Sequence, residues 1–96
     1  MSESREQFVD SAYVAPDGEV EQSVAHIIAD VLAVDRVGRT DSFYDFGGTS
    51  LAAIKICARL EQERGWRAEP AWLFMNDVVA DFALRVWSES VLAAEA

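Results

Sequence analysis

A hydroxyl set directly behind a pair of glycines is the group in this chain best placed for chemistry. In Asp41-Ser42-Phe43-Tyr44-Asp45-Phe46-Gly47-Gly48-Thr49-Ser50-Leu51, aromatics and glycines lead into Ser50. Glycines permit a tight turn and let another part of the chain approach closely. The apolar spacing downstream predicts a helix opening at about residue 50, which puts Ser50 beside the positive end of its dipole. Free backbone N–H groups point outward there, so the position suits a phosphate ester. Helix capping is the plainer role for a serine at such a place. Thr49 caps equally well, however, and Ala53 stands where a capping box needs Glu or Gln. The residues alone leave both roles open.

Other chemistries find little support. Ser50 is not in a G-x-S-x-G elbow, and a serine triad would have to recruit the single histidine, His26, from another helix. No lysine follows the glycines in P-loop register. His26 and Asp30 share a helix face at i, i+4, but two ligands do not make a metal site. Asp35, Asp41 and Asp45 lack the ligand order of a calcium loop. Cys57 falls on an inward helix face and reads as a small core residue. The expectation is no catalytic residue and no metal; Ser50 is left as a helix cap or as a substrate of chemistry, not its agent.

Four helices must position this hydroxyl, and the expected architecture is all-α, a compact four-helix bundle of three main helices and a short third. The first is predicted over residues 19–34, capped by Asp17 or Gly18, with a core stripe of Val20, Val24, Ile27, Ile28, Val31 and Leu32. A long connection, residues 35–48, follows, pinned by Val37, Phe43, Tyr44 and Phe46. The second helix is predicted over 50–64, stopping before Gly65, with Ala53, Ile56, Cys57 and Leu60 facing the core. A second apolar face, Leu51, Ile54 and Ala58, either widens the core or docks a partner. Pro70 opens the short helix. Asn76 or Asp77 caps the last, over about 77–92, with Val78, Val79, Phe82, Ala83, Val86 and Trp87 inward. Residues 1–15 read as a flexible lead, 16–90 as the domain and 91–96 as a frayed tail.

Composition narrows the field. Ninety-six residues suit one small domain with a modest core. Seventeen acidic residues against eight basic ones give a net charge of −9, which disfavours nucleic acid and anionic membranes. One cysteine precludes an internal disulfide, and neither a signal peptide nor a spanning segment is legible. The expectation is a cytoplasmic monomer.

The serine segment resembles the D-x-F-[FY]-D-x-G-G-x-S-L motif of thiolation domains, the peptidyl carrier proteins of nonribosomal peptide synthesis. The resemblance covers residues 13–87. Tyr13-Val14-Ala15-Pro16 is similar to the linker that introduces such domains, Leu32-Ala33-Val34-Asp35-Arg36-Val37-Gly38 to the turn after the first helix, and Leu73-Phe74 to the third-helix pair. Thr49, Ile54 and Met75-Asn76-Asp77 depart from the family pattern, at positions that bear on partner choice. The resemblance implies that a phosphopantetheinyl transferase attaches 4'-phosphopantetheine, from coenzyme A, to Ser50. An adenylation enzyme then loads an aminoacyl or aryl group as a thioester, and condensation or tailoring enzymes take it up. A flexible tether raises the effective concentration of the cargo at successive sites. The implied partner contacts are Phe43, Thr49, Leu51, Ile54, Lys55 and Met75. With no room for adenylation or condensation machinery, the chain is expected to be a free-standing carrier. An acyl carrier of fatty acid or polyketide synthesis, or an unmodified helical adaptor, are the alternatives.

Overall fold

The computed structural model describes residues 2–95. Four α-helices carry the structure: α1 (Gly18–Leu32), α2 (Ser50–Arg64), α3 (Pro70–Met75) and α4 (Val79–Glu95). Single 3₁₀ turns at Arg5–Gln7 and Phe43–Phe46 complete it, and no strand forms among the described residues. Helix α1 packs against both α2 and α4, and the short α3 bridges α2 and α4. The core between them holds Val24, Ile27 and Ile28 of α1, Ile56 and Leu60 of α2, Leu73 of α3, and Phe82 and Val86 of α4.

Helix α1 ends two residues earlier than its apolar pattern implies. Ala33 adopts a left-handed conformation, φ 57°, so the chain turns out of the helix there. Val34 N–H reaches back to Ala29 O at 2.9 Å and Ala33 N–H to Asp30 O at 3.3 Å, a Schellman closure that satisfies the last carbonyls. Val34 is then free to bury itself and to form a bridge with Glu3. Val20, Val31 and Leu32 lie at the edge of the core and are only partly covered.

Helix α4 begins at Val79, later than expected, because its caps arrive from elsewhere in the chain. Val79 N–H donates to Asp41 O and Ala80 N–H to Arg39 O, each at 3.0 Å. The side chains of the expected caps face other ways. Asn76 Nδ2 donates to Trp72 O at 2.9 Å, and Asp77 accepts the Ser42 hydroxyl. On α4, Trp87 is exposed and does not join the inward stripe; its ring sits edge-on to Trp66 at 6.1 Å.

Both ends differ from the sequence expectation. Helix α4 continues through residues 91–95, and Ala96 lies outside the described residues. The lead, apart from Met1, which is likewise outside them, folds onto the bundle. Arg5 is 1% exposed and holds Asp41 through two contacts, Nε to Oδ2 at 2.6 Å and Nη2 to Oδ1 at 2.8 Å. A buried guanidinium requires a fixed carboxylate partner. That requirement, invisible in the local sequence, orders the lead.

Candidate functional site

The loop before α2 is built from the inside outward. Phe43 opens the second 3₁₀ turn and is fully buried, with Phe74 edge-on at 6.2 Å. Three residues per turn then swing Tyr44 to the surface, where it is 49% exposed. Its ring stacks on Phe74 at 6.3 Å and its hydroxyl donates to Phe74 O at 2.9 Å, so the loop is tied to α3. Gly47 ends the turn at φ 75°, a left-handed conformation that disfavours a side chain. Gly48 is constrained by space instead, since a Cβ there would lie 2.4 Å from two ring carbons of Phe43. The glycine pair thus does two separate things, reversing the chain and letting it run flush over a buried ring.

Thr49 emerges from this turn as the cap of α2, its Oγ1 accepting Ala52 N–H at 3.2 Å. Ser50 is therefore not the capping residue. It occupies the first helical position with its side chain exposed. Helix geometry leaves the first N–H groups without partners inside the helix. Thr49 takes that of Ala52, which leaves those of Ser50 and Leu51 without a partner inside the helix, at the dipole's positive end. This donor set fits a phosphodiester on Ser50.

The surface beyond Ser50 is apolar. Leu51 is 60% exposed, Ile54 54% and Met75, at the end of α3, 71%. Helical spacing sets Leu51 and Ile54 on one strip, with Lys55 one turn beyond Leu51. The inward face of α2 is Ala53, Ile56, Cys57 and Leu60, all buried, so the second apolar face widens the exposed surface and not the core. Among the proposed contacts Phe43 is the exception. With no exposed surface it cannot touch a partner, and it supports the loop from beneath. Tyr44, read from sequence only as a loop pin, is the aromatic that reaches solvent.

Charge at this surface is unevenly placed. Every arginine is engaged with a carboxylate: Arg5 with Asp41, Arg36 with Glu6, Arg39 with Glu21, Arg59 with Asp30 and Glu63, Arg64 with Glu19, Arg67 with Glu69 and Arg85 with Glu89. Lys55, the single lysine, is exposed and enters none of these pairs. Burial alone would raise the Asp41 carboxyl; hydrogen bonds from Arg5 and the Gly38 N–H outweigh it and hold the group below the usual carboxylate range. Burial pushes the Cys57 thiol up to about 12, with Glu61 and Glu69 adding to the shift. Among the described residues no group of three or more His, Cys, Asp or Glu is arranged to hold a metal ion, and no helix is long and apolar enough to cross a membrane.

Comparison with known proteins agrees with this geometry. The phosphopantetheine attachment site family matches residues 22–86, a span that contains the turn, Ser50 and all of α2 and α3. The chain belongs to that family, whose members carry a covalent 4'-phosphopantetheine. Tyrocidine synthase 2 of Brevibacillus parabrevis is 42% identical over 74 residues, 77% of this chain. The chain spans only 2% of that synthase's length. A solved structure described as a non-ribosomal PCP domain superposes with a TM-score of 0.68 at 31% identity, covering 74% of this chain and 91% of the other. A peptidyl carrier protein solved with the phosphopantetheine transferase Sfp and coenzyme A gives a TM-score of 0.73 at 32% identity, covering 79% and 99%. Within its family, then, the chain is a carrier protein of the nonribosomal peptide type.

Proposed function

We propose that Ser50 is the residue that carries the arm, and that the carrier holds an aminoacyl or aryl group on it for partner enzymes. The observation that supports this most directly is the division of labour at the start of α2. Thr49 does the capping, so Ser50 has no structural duty and presents a free hydroxyl beside unpaired N–H groups. The arm, once attached, supplies a terminal thiol for thioester formation. The chain's own part is to present Ser50, to offer a docking surface and to contribute no catalytic group.

That surface is proposed as Leu51, Ile54 and Met75 with Thr49, Tyr44 and Lys55 around them. Exposed apolar side chains ringed by polar ones are the usual anatomy of a protein interface. The partners are a phosphopantetheinyl transferase, an adenylating enzyme and downstream condensation or tailoring enzymes, met by a monomeric carrier. The one free cysteine suits a reducing compartment, and we place this work in the cytoplasm. The test is intact-mass analysis after incubation with coenzyme A, Mg²⁺ and a promiscuous transferase. Wild type is expected to gain one phosphopantetheine and Ser50→Ala none. Modification of folded Ser50→Ala at another residue would overturn the assignment.

A further inference from the structure

The segment before α1 grips the Ser50 turn at both ends. Arg5 clasps Asp41, which lies just ahead of the second 3₁₀ turn, and Phe8 sets its ring against Phe46, the last residue of that turn, at 5.5 Å. Further bonds fix the segment itself. Glu3 N–H donates to Ala33 O at 2.8 Å, Asp35 N–H to Glu3 O at 2.7 Å, and Arg5 N–H to Asp35 Oδ1 at 2.8 Å. Nη1 donates to Glu6, and Nη2 also lies within reach of Ser11 Oγ and the Ala12 carbonyl, so every guanidinium nitrogen has a partner.

Asp41 is the hub of this arrangement. Its side chain accepts from Arg5 and from Gly38 N–H at 2.7 Å, while its carbonyl caps α4 through Val79 N–H. Two residues on, Phe43 N–H donates to Asp77 O at 2.7 Å, and the Phe43 ring supports Gly48. A rigid path of contacts therefore runs from Arg5 through Asp41 and Phe43 to Gly48, two residues before Ser50. The family match begins at residue 22, after this segment.

We propose that residues 2–8 form a strap, with Arg5 and Phe8 as positioning residues, that holds the Ser50 turn in its docking-ready geometry. The proposal rests on the carrier reading for its consequence, while the strap's effect on the turn is a property of the unmodified chain. A preordered turn loses less conformational freedom when a partner binds, so strap variants should be poorer substrates through KM, with kcat retained.

The experiment is amide hydrogen exchange by NMR on full-length apo wild type, Phe8→Ala, Arg5→Gln and Arg5→Lys, followed by transferase kinetics on the same samples. Phe43, Asp45, Gly47 and Gly48 are the reporters, since each N–H is bonded within or across the turn. Phe8→Ala and Arg5→Gln are expected to speed exchange there about tenfold or more, while the amides of α1 and the middle of α4 keep wild-type protection. Arg5→Lys should restore part of the protection and part of the KM. Wild-type exchange at all four reporters, with loosening confined to the lead, would overturn the proposal. If Arg5→Gln fails to fold, Phe8→Ala decides by itself, because its ring is at the surface. Failure of wild type to accept phosphopantetheine would refute the carrier assignment, and the exchange result would still decide the strap.

Discussion

Gly48→Ala tests whether the glycine pair is demanded by the buried ring beneath it. The added methyl would sit 2.4 Å from Phe43 Cε2 and Cζ and 2.6 Å from Cδ2. Phe43 has little room to yield, being fully buried with Tyr44 at 5.9 Å and Phe74 at 6.2 Å. Overpacking of this kind costs about 1–3 kcal/mol, a sizeable share of the roughly 5–15 kcal/mol expected for a folded domain. Gly47→Ala makes the control. Its Cβ meets nothing within 4 Å, so it pays only for the left-handed backbone, about 1–2 kcal/mol. Urea unfolding followed by tryptophan fluorescence, with the buried Trp72 as a reporter, gives both values. The decisive comparison adds Phe43→Leu. The smaller side chain should lower the cost of Gly48→Ala by ~1 kcal/mol and leave that of Gly47→Ala unchanged within ~0.5 kcal/mol. Equal costs for Gly48→Ala with and without Phe43→Leu would refute the steric account.

Four further outcomes are expected. The Asp41 carboxyl is depressed in the folded state, so its contribution is full above the unfolded value of ~3.9 and is lost as pH falls through the folded value. Unfolding free energies of wild type and Asp41→Asn, measured by urea titration at stepped pH, should run parallel above about pH 5 and converge in acid; a constant gap would contradict the ion pair's role. Ala33→Gly relieves the left-handed residue that closes α1 and should stabilise by up to ~1 kcal/mol, read as a higher calorimetric Tm. Lys55→Glu should slow association with an acidic partner surface, and the deficit should shrink as salt is raised; a salt-independent rate would remove Lys55 from the interface. Leu51→Ala and Ile54→Ala should leave stability within ~0.5 kcal/mol of wild type yet cut transfer or loading efficiency about fivefold or more.

What could be read from sequence depended on how local the cause was. The limits of α2 were legible to the residue, because Thr49 and Gly65 are adjacent to the segment they bound. Pro70 likewise marked the start of α3. The start of α4 was not legible, because its caps are backbone carbonyls of Arg39 and Asp41, brought in by the tertiary fold. The packing of the lead is not legible for the same reason, since the carboxylate that holds Arg5 lies 36 positions away. At the site, Ser50, Leu51 and Ile54 sit where helical spacing put them. The opposite exposure of Phe43 and Tyr44 is not legible, because a single 3₁₀ turn leaves no periodic pattern from which to tell inward from outward.

The sealed position of Cys57 gives the molecule a clean sulfur inventory. The chain has one cysteine, it is buried, and its thiol is held in the protonated form at neutral pH. A protonated, inaccessible sulfur is a poor nucleophile. An acyl group on a phosphopantetheine arm would therefore meet no competing thiol within the folded carrier. The same fact makes the folded protein self-reporting. Under native conditions a disulfide reagent should count no thiol before modification and one after it, and unfolding should add one to either count. Acylation of the arm then appears as the disappearance of the only sulfur that reacts.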